Sequence, residues 1–133
     1  MKVFIDANLL IYLNVRIPED FAKRLESFWT DLLRNHELYT DILVLDETIY
    51  ISKKKYGMPF RETIEFIDRV VTPVIEVVKI GLEEYRIARK YIVNYGLRPS
   101  DAIHLAVIVN HNLDAVASED KDFEKAGIKR LWI

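Results

Sequence analysis

Short runs of β-branched and other apolar residues alternate with longer segments of helical periodicity along the whole chain. The short runs predict buried strands, which lie at residues 3–5, 38–40, 74–78, 115–117 and 129–133. The longer segments predict helices, which lie at residues 21–33, 42–56, 59–72, 82–95, 99–112 and 122–126. This alternation predicts an α/β fold, a three-layer α/β/α domain whose central parallel sheet has four to five strands.

The chain shows no linker, internal repeat or low-complexity segment. Its 133 residues suffice for one hydrophobic core, so we expect a single domain over residues 1–133. Asp6 interrupts the first apolar run before a signal sequence could form, and no later apolar run approaches the roughly 20 residues of a membrane span. We therefore expect a cytoplasmic protein that makes no membrane contact.

Composition restricts the chemistry of any site. The chain has no cysteine, which excludes disulfide bonds, thiolate metal sites and cysteine nucleophiles, so a bound metal must have oxygen or imidazole ligands. Its 19 Lys and Arg residues nearly balance 21 Asp and Glu residues, for a net charge of −2. This balance excludes a polybasic protein that coats nucleic acid, but not an enzyme that cuts it.

Acidic residues follow the first and fourth predicted strands. Asp6 comes directly after the first strand, and Asp120 and Asp122 come shortly after the fourth. Asp101 lies in the first turn of a predicted helix. Because ligands of an open parallel sheet bind beyond the carboxyl ends of its strands, we expect these residues to converge at one edge.

Most of these residues are also compatible with a structural role. Asp101 is favoured by the dipole at a helix N-terminus, and Asp120 or Asp122 is suited to capping the short helix that follows. Asp6 is harder to explain in this way, because apolar residues continue on both sides of it. Its carboxylate is expected to be half-buried and to need a partner.

A further acidic pair lies within the predicted helix at residues 42–56. This helix is apolar almost all round, which is typical of a helix buried on most sides. Asp46 and Glu47 are both flanked by apolar helical neighbours, so at least one carboxylate must lie in an unusual setting. Spacing alone does not choose between them.

Clustered carboxylates repel one another unless a cation lies among them. A cysteine-free set of oxygen ligands suits Mg²⁺ or Mn²⁺. Such clusters commonly serve phosphoryl chemistry, in which the metal activates water and neutralises developing negative charge. A bound cation would reverse the local charge, so a protein of nearly balanced composition is able to act on a polyanion.

Four segments around these carboxylates form a series that spans the chain. They are Val3–Asn8, the helix that carries Glu47, Leu97–Ala106 and Ala117–Phe123. In this order they resemble the four acidic motifs of the PIN-domain nucleases, in particular the VapC-type toxins. The segment around Asp101 carries the most specific part of the resemblance.

The resemblance implies a Mg²⁺- or Mn²⁺-dependent endoribonuclease, the toxin of a toxin–antitoxin pair. It implies that Asp6 and Asp101 are the principal metal ligands and that Glu47 and Asp120 complete the catalytic set. It selects Glu47 over Asp46, and it favours Asp120 over Asp122 as the fourth carboxylate because of its spacing from a serine. The resemblance also implies RNA as substrate, an antitoxin protein as partner and a homodimer.

Three further residues are expected beside the metal or the ligand. Asn8 and Ser118 resemble polar residues that bind ligands or metal waters, and Asp122 remains the alternative fourth carboxylate. His104, one helical turn after Asp101, is interpreted either as a donor that orients this carboxylate or as a buried histidine bound to backbone.

Two surface features have a functional and a structural interpretation. Lys53, Lys54, Lys55 and Arg61 suit contact with an RNA backbone, but cations at a helix C-terminus are stabilising in any case. The Phe28 and Trp29 pair suits a groove for a partner peptide, although burial in the core is favoured for most of that apolar face.

Other function classes remain as alternatives. A catalytically inactive PIN-like module would bind RNA or a partner without cutting. A receiver-like signalling domain would use Mg²⁺ and a phosphorylated aspartate, but it calls for an acidic pair after the first strand. A phosphatase of the haloacid dehalogenase type would need a second aspartate at position 8, where this chain has Asn8.

Overall fold

The computed structural model describes residues 1–133 and has a five-stranded sheet at its centre. The strands are β1 (Lys2–Ile5), β2 (Glu37–Asp41), β3 (Glu76–Val78), β4 (Ala115–Ala117) and β5 (Lys129–Leu131). All four neighbouring pairs are parallel, and the strand order is β3-β2-β1-β4-β5. The predicted parallel sheet is therefore confirmed at five strands.

Seven helices flank the sheet. They are α1 (Ala7–Asn14), α2 (Glu19–Asn35), α3 (Ile42–Tyr56), α4 (Phe60–Phe66), α5 (Leu82–Tyr95), α6 (Pro99–Asn110) and α7 (Asp122–Lys125). A π-helical segment, Ile67–Val71, continues α4. Helix α1 contacts α2 and α3, α3 contacts α4, and α5 packs against α6. With right-handed crossovers, this strand order puts α1 to α4 on one face of the sheet and α5 and α6 on the other.

The strand order defines where a ligand is expected to bind. The chain leaves β1 toward β2 on one side and returns to place β4 on the other side, so the order reverses between β1 and β4. A crevice opens at such a point beyond the carboxyl ends of the strands. The order also differs from the 2-1-3-4-5 arrangement of receiver domains, which removes the receiver-like alternative.

The elements around this crevice form the centre of the hydrophobic core. Val3, Phe4 and Ile5 of β1 are completely buried, as are Leu105 and Val107 of α6. Helix α6 is apolar around nearly its whole circumference because it is enclosed on most sides. The side chains that β1 and α6 carry at the crevice therefore stand on largely buried elements.

Helix α1 was not predicted from the sequence. Leu9, Leu10 and Ile11 are all buried, so the segment shows no polar face from which a helical period could be recognised. The transition from strand to helix occurs at Asp6 itself, whose carboxylate accepts a hydrogen bond from the backbone N–H of Ala7 (2.8 Å). Asp6 is thus the N-cap of a helix that begins without a turn residue.

Other boundaries shift by a few residues. Helix α2 extends beyond the predicted 21–33 at both ends, and the predicted strand 74–78 is shortened to β3. Trp29 is buried in the core, as the structural interpretation expects, and Phe28 contacts the Trp132 ring edge-on at 5.8 Å. No helix is both long enough and apolar enough to cross a membrane.

Candidate active site

Asp6 lies at the carboxyl end of β1 and is almost fully buried. Its backbone N–H donates to the carbonyl of Ala117 at 3.1 Å, which joins the ends of β1 and β4. Its Oδ1 caps α1, and its Oδ2 accepts a hydrogen bond from the Ser118 hydroxyl at 2.6 Å. The backbone on one side and the hydroxyl on the other fix the orientation of this carboxylate.

Ser118 and Asn8 form the polar floor of the site. Ser118 is completely buried, and its Oγ accepts hydrogen bonds from the Asn8 side-chain amide (3.1 Å) and the Asp120 backbone (3.0 Å) while donating to Asp6. One donor and two acceptors are all that a hydroxyl offers. Asn8 also accepts from the backbone N–H of Glu119 at 3.2 Å. The two residues hold the loop after β4 against the start of α1.

Asp120 and Asp122 have different surroundings. Asp120 lines the cleft, and its Oδ1 accepts from the backbone N–H of Asp122 at 2.9 Å. The carboxylate of Asp122 instead lies 3.0 Å from the ammonium of Lys125 and is not among the groups that line the cleft. The structure thus brings Asp120, and not Asp122, to the same cleft as Asp6.

Asp101 reaches the cleft from the first turn of α6. It is buried, and its Oδ2 accepts a hydrogen bond from Arg98 Nε at 3.2 Å. Burial and the charge of Asp6 raise the pKa of Asp101 above its usual value, against the opposing effect of Arg98. The charge of Asp101 in turn raises the pKa of Arg98, so this guanidinium stays cationic.

Helix α3 contributes Glu47 to the cleft. Glu47 is half-buried, and burial raises its pKa, with further contributions in the same direction from Asp6 and Asp101. The neighbouring Asp46 is exposed and lies in a separate apolar groove beside Ile49. Glu47 therefore faces the cleft and Asp46 does not, a distinction that sequence spacing alone could not make.

His104 has neither of the two partners predicted for it. Its Nδ1 lies 2.7 Å from Oδ2 of Asp41, and both side chains are completely buried. Burial opposes protonation of His104, but the hydrogen bond and charge of Asp41 outweigh it, and the pKa of the ring is raised overall. Its Nε2 is buried without a hydrogen-bond partner. The partner was missed because it lies 63 residues away in the sequence.

The complete cleft has a volume of about 260 Å³. Besides the predicted residues, its polar lining consists of Tyr12, Lys55, Tyr56, Arg98 and Glu119. The Tyr12 hydroxyl donates to Glu119 at 2.6 Å, and burial raises the pKa of Tyr12. Tyr12 lies on helix α1, and because the sequence pattern does not predict this helix, it does not predict the position of Tyr12 in the cleft either.

The lysine run at the end of α3 divides by position. Lys55 lines the cleft, whereas the ammonium groups of Lys53 and Lys54 lie 5.4 and 5.5 Å from the centres of the Phe60 and Tyr50 rings. Only one of these three lysines therefore faces the acidic residues.

The donor set fits a divalent cation. Oxygen atoms of Asp6 and Glu47 and a ring nitrogen of His104 lie within 4.8 Å of one another. Two of the nearby carboxyl groups, Glu47 and Asp101, have raised pKa values, first because burial disfavours their charged forms and then because the charge of Asp6 lies nearby. A cation among them would relieve this repulsion, and carboxylates are the ligands that Mg²⁺ and Mn²⁺ prefer.

The raised pKa of Glu47 predicts a pH-dependent stability difference. An acid whose pKa is higher in the folded state than in the unfolded chain lowers the free energy of unfolding as pH rises from the unfolded value of 4.5 through the folded one. Without metal, we expect the Glu47→Gln variant to be more stable than the wild type, by an amount that grows from acidic to neutral pH. Chemical denaturation in the presence of a chelator measures this difference.

The control for this experiment is Asp46→Asn, which removes an exposed carboxylate one position earlier on the same helix. Its stability relative to the wild type should show no such growth with pH. An equal response of both variants would mean that the effect is one of net charge and not of the cleft.

Sequence comparison identifies the family. The family model described as "PIN domain" matches residues 3–129, which is nearly the whole chain. The chain belongs to the PIN domain family. Among curated relatives, this PIN domain is 32% identical to a VapC ribonuclease of Mycobacterium bovis over 135 aligned positions, covering 97% of this chain and 98% of the relative.

Solved structures agree on the fold of this PIN domain. The toxin VapC20 of Mycobacterium tuberculosis, described as cleaving the sarcin–ricin loop, superposes with a TM-score of 0.78 at 18% identity and covers 95% of both chains. The VapBC2 structure from Rickettsia felis, bound to a DNA fragment from its promoter, superposes with a TM-score of 0.73 at 15% identity over 99% of this chain and 98% of that one.

Proposed function

We propose that this PIN domain is a divalent-metal-dependent endoribonuclease and the toxin of a toxin–antitoxin pair. The observation that carries the proposal is the convergence of Asp6, Glu47, Asp101 and Asp120 on one cleft at the point where the strand order reverses. Similarity to a VapC ribonuclease along the whole chain supports RNA as the substrate.

The four carboxylates take the catalytic and metal-binding roles. Asp6 and Asp101 are the principal ligands of a Mg²⁺ or Mn²⁺ ion, and Glu47 and Asp120 complete the acidic set. Such an ion supplies charge neutralisation at the scissile phosphate and favours ionisation of water. Hydrogen bonds of Asn8 and Ser118 hold Asp6 and the loop that carries Asp120 in place beside each other.

The cationic residues of the cleft suit the substrate backbone. Arg98 is largely exposed although its Nε is bound to the buried Asp101, so its remaining N–H groups face outward. Lys55 lines the same cleft. Guanidinium and ammonium groups bind phosphate oxygens, so we assign Arg98 and Lys55 to the phosphates that flank the scissile bond.

Incubation of the protein with structured and unstructured RNA, in Mn²⁺ or in a chelator, tests the proposal. Hydrolysis with water as the nucleophile should yield fragments with 5′-phosphate and 3′-hydroxyl ends, and only when the metal is present. DNA of the same sequences serves as the comparison substrate. Cleavage that persists in the chelator, or fragments with cyclic phosphate ends, would contradict the proposed chemistry.

The partner, assembly and location are parts of the same proposal. The relatives include a VapBC complex, which supports an antitoxin protein that binds this chain and suppresses cleavage. We also propose a homodimer that acts in the cytoplasm. Light scattering of the purified protein measures the mass of the assembly, and a monomer at all concentrations would contradict the dimer.

The difference between Asp120 and Asp122 leads to a matched pair of variants. We expect Asp120→Asn to lower the cleavage rate by about 10²-fold or more, because it removes a charge from the cleft. Asp122→Asn removes the same charge two residues away, where the carboxylate contacts Lys125, and should retain near wild-type activity. Initial rates on one RNA substrate decide the question, and the reverse ranking would move the fourth carboxylate to Asp122.

A further inference from the structure

Two buried polar residues have no part in the proposed function so far. Asp41 and His104 are completely buried and bound to each other through Oδ2 and Nδ1 at 2.7 Å. The second nitrogen of the ring, Nε2, is buried and has no hydrogen-bond partner. A buried polar atom without a partner destabilises the fold, so its retention in a core position calls for an explanation.

The hydrogen bonds of Asp41 determine which nitrogen of the His104 ring is free to bind a ligand. Its Oδ1 accepts a hydrogen bond from the backbone N–H of Val44 at 3.0 Å and thereby caps α3. A carboxylate is only an acceptor. Nδ1 of His104 therefore carries a hydrogen and donates it to Asp41. The raised pKa of the ring favours a hydrogen on Nε2 in the metal-free protein. A metal ion binds the neutral ring and displaces this proton, because Nε2 of the neutral ring holds a lone pair.

The His104 ring lies beside the carboxylates of Asp6 and Glu47. A ring nitrogen of His104 lies within 4.8 Å of carboxylate oxygens of both Asp6 and Glu47. Because Nδ1 is occupied by Asp41, Nε2 is the nitrogen that a ligand between these carboxylates would meet. The Phe4 ring, whose centre lies 5.4 Å from that of His104, offers no polar partner.

We infer that His104 is a nitrogen ligand of the divalent ion, alongside Asp6 and Glu47, and that Asp41 is the residue that orients it. The inference rests on the proposed function, since it names a further ligand and an ion preference for that site. A carboxylate bound to the far nitrogen of a ligating histidine fixes the tautomer and raises the basicity of the ligand. Asp41 has this position.

The ligand type sets the choice of ion. Mg²⁺ takes oxygen ligands, whereas imidazole is a ligand of the first-row transition metals. A nitrogen in the set therefore favours Mn²⁺ over Mg²⁺.

Electron spin-echo spectroscopy of the full-length protein with substoichiometric Mn²⁺ tests the inference directly. We expect nitrogen modulation from the bound ion in the wild type and its loss in His104→Gln. Calorimetric titration should show that His104→Gln weakens Mn²⁺ binding about tenfold or more and Mg²⁺ binding much less. His111→Gln, which alters an exposed histidine, is the matched control and should leave the nitrogen signal intact.

A second variant tests the role of Asp41 without deleting the ligand. Asp41→Asn retains a side-chain oxygen that caps α3, and asparagine is an equally good cap. Its amide group would then donate to Nδ1 of His104, moving the ring hydrogen to Nε2 and blocking the lone pair. We expect this variant to fold, to lose the nitrogen signal and to bind Mn²⁺ about 10- to 100-fold more weakly.

The outcomes separate this inference from the proposed function. Tight Mn²⁺ binding without nitrogen modulation in the wild type would overturn the role of His104 and leave the carboxylate site standing. An absence of Mn²⁺ binding would overturn the metal dependence itself and the inference with it. A nitrogen signal that survives Asp41→Asn would overturn the role of Asp41.

Discussion

Replacement of Asp6 by Asn is expected to lower the rate of RNA cleavage by this PIN domain at least about 10³-fold. Asp6 is a buried carboxylate, and its charge contributes to raising the pKa of both Glu47 and Asp101. A metal ion, which Asp6 helps to hold in the proposed mechanism, would contribute several kcal/mol of charge stabilisation in the transition state, and each 1.36 kcal/mol corresponds to about tenfold in rate.

The same substitution should leave the metal-free fold intact. The side-chain oxygen of an asparagine is able to accept the hydrogen bond from Ala7 that starts α1. The Ser118 hydroxyl, which donates to Asp6 in the wild type, already accepts two hydrogen bonds, so it cannot accept from the new amide and this one hydrogen bond is lost. Loss of one buried charge relieves the repulsion on Glu47 and offsets that loss. We therefore expect an unfolding free energy equal to or above that of the wild type.

Asp46→Asn is the control for Asp6→Asn, because it changes the net charge equally at an exposed position outside the cleft. Initial cleavage rates and denaturation curves are compared for the wild type and both variants. A variant of Asp6 that fails to fold would show that the residue is a structural cap first. Equal rates in both variants would remove Asp6 from the reaction.

The convergence of carboxylates could be predicted because it follows from sheet topology. Asp6 comes directly after β1 and Asp120 shortly after β4, and such strand ends meet at one edge of a parallel sheet. Glu47 could not be separated from Asp46 by spacing, since the direction that each faces depends on how α3 packs against α1. The family resemblance selected Glu47, and the structure places it in the cleft.

Helix α1 and the pair of Asp41 and His104 could not be predicted. The first is buried on nearly all sides, so no amphipathic period distinguishes it from an extended apolar run. The second depends on a contact between the end of β2 and α6, which are far apart in the sequence. Local patterns carry no signal for such a pairing. Arg98 is different, because its position three residues before Asp101 allows an ion pair across one helical turn.

Saturating Mn²⁺ is expected to raise the melting temperature of the wild type by about 10 °C. An ion that binds only the folded state at 100 times its dissociation constant stabilises it by about 2.7 kcal/mol. Unfolding entropy of about 2.1 cal/mol/K per residue, over 133 residues, converts this free energy to a shift of about 10 °C. Scanning calorimetry at neutral pH, with chelator or with millimolar Mn²⁺, measures the shift.

Removal of the repelling charges should stabilise the metal-free protein and should abolish most of the stabilisation by Mn²⁺. The combined Glu47→Gln and Asp101→Asn variant has lost one half-buried and one buried carboxylate, and the pKa values of both are raised by burial and by Asp6. We expect it to melt above the wild type in chelator and to gain little from Mn²⁺. Asp122→Asn, whose carboxylate pairs with Lys125 outside the cleft, should retain the full shift. If millimolar Mn²⁺ leaves the wild-type melting temperature unchanged, the cluster is not a metal site.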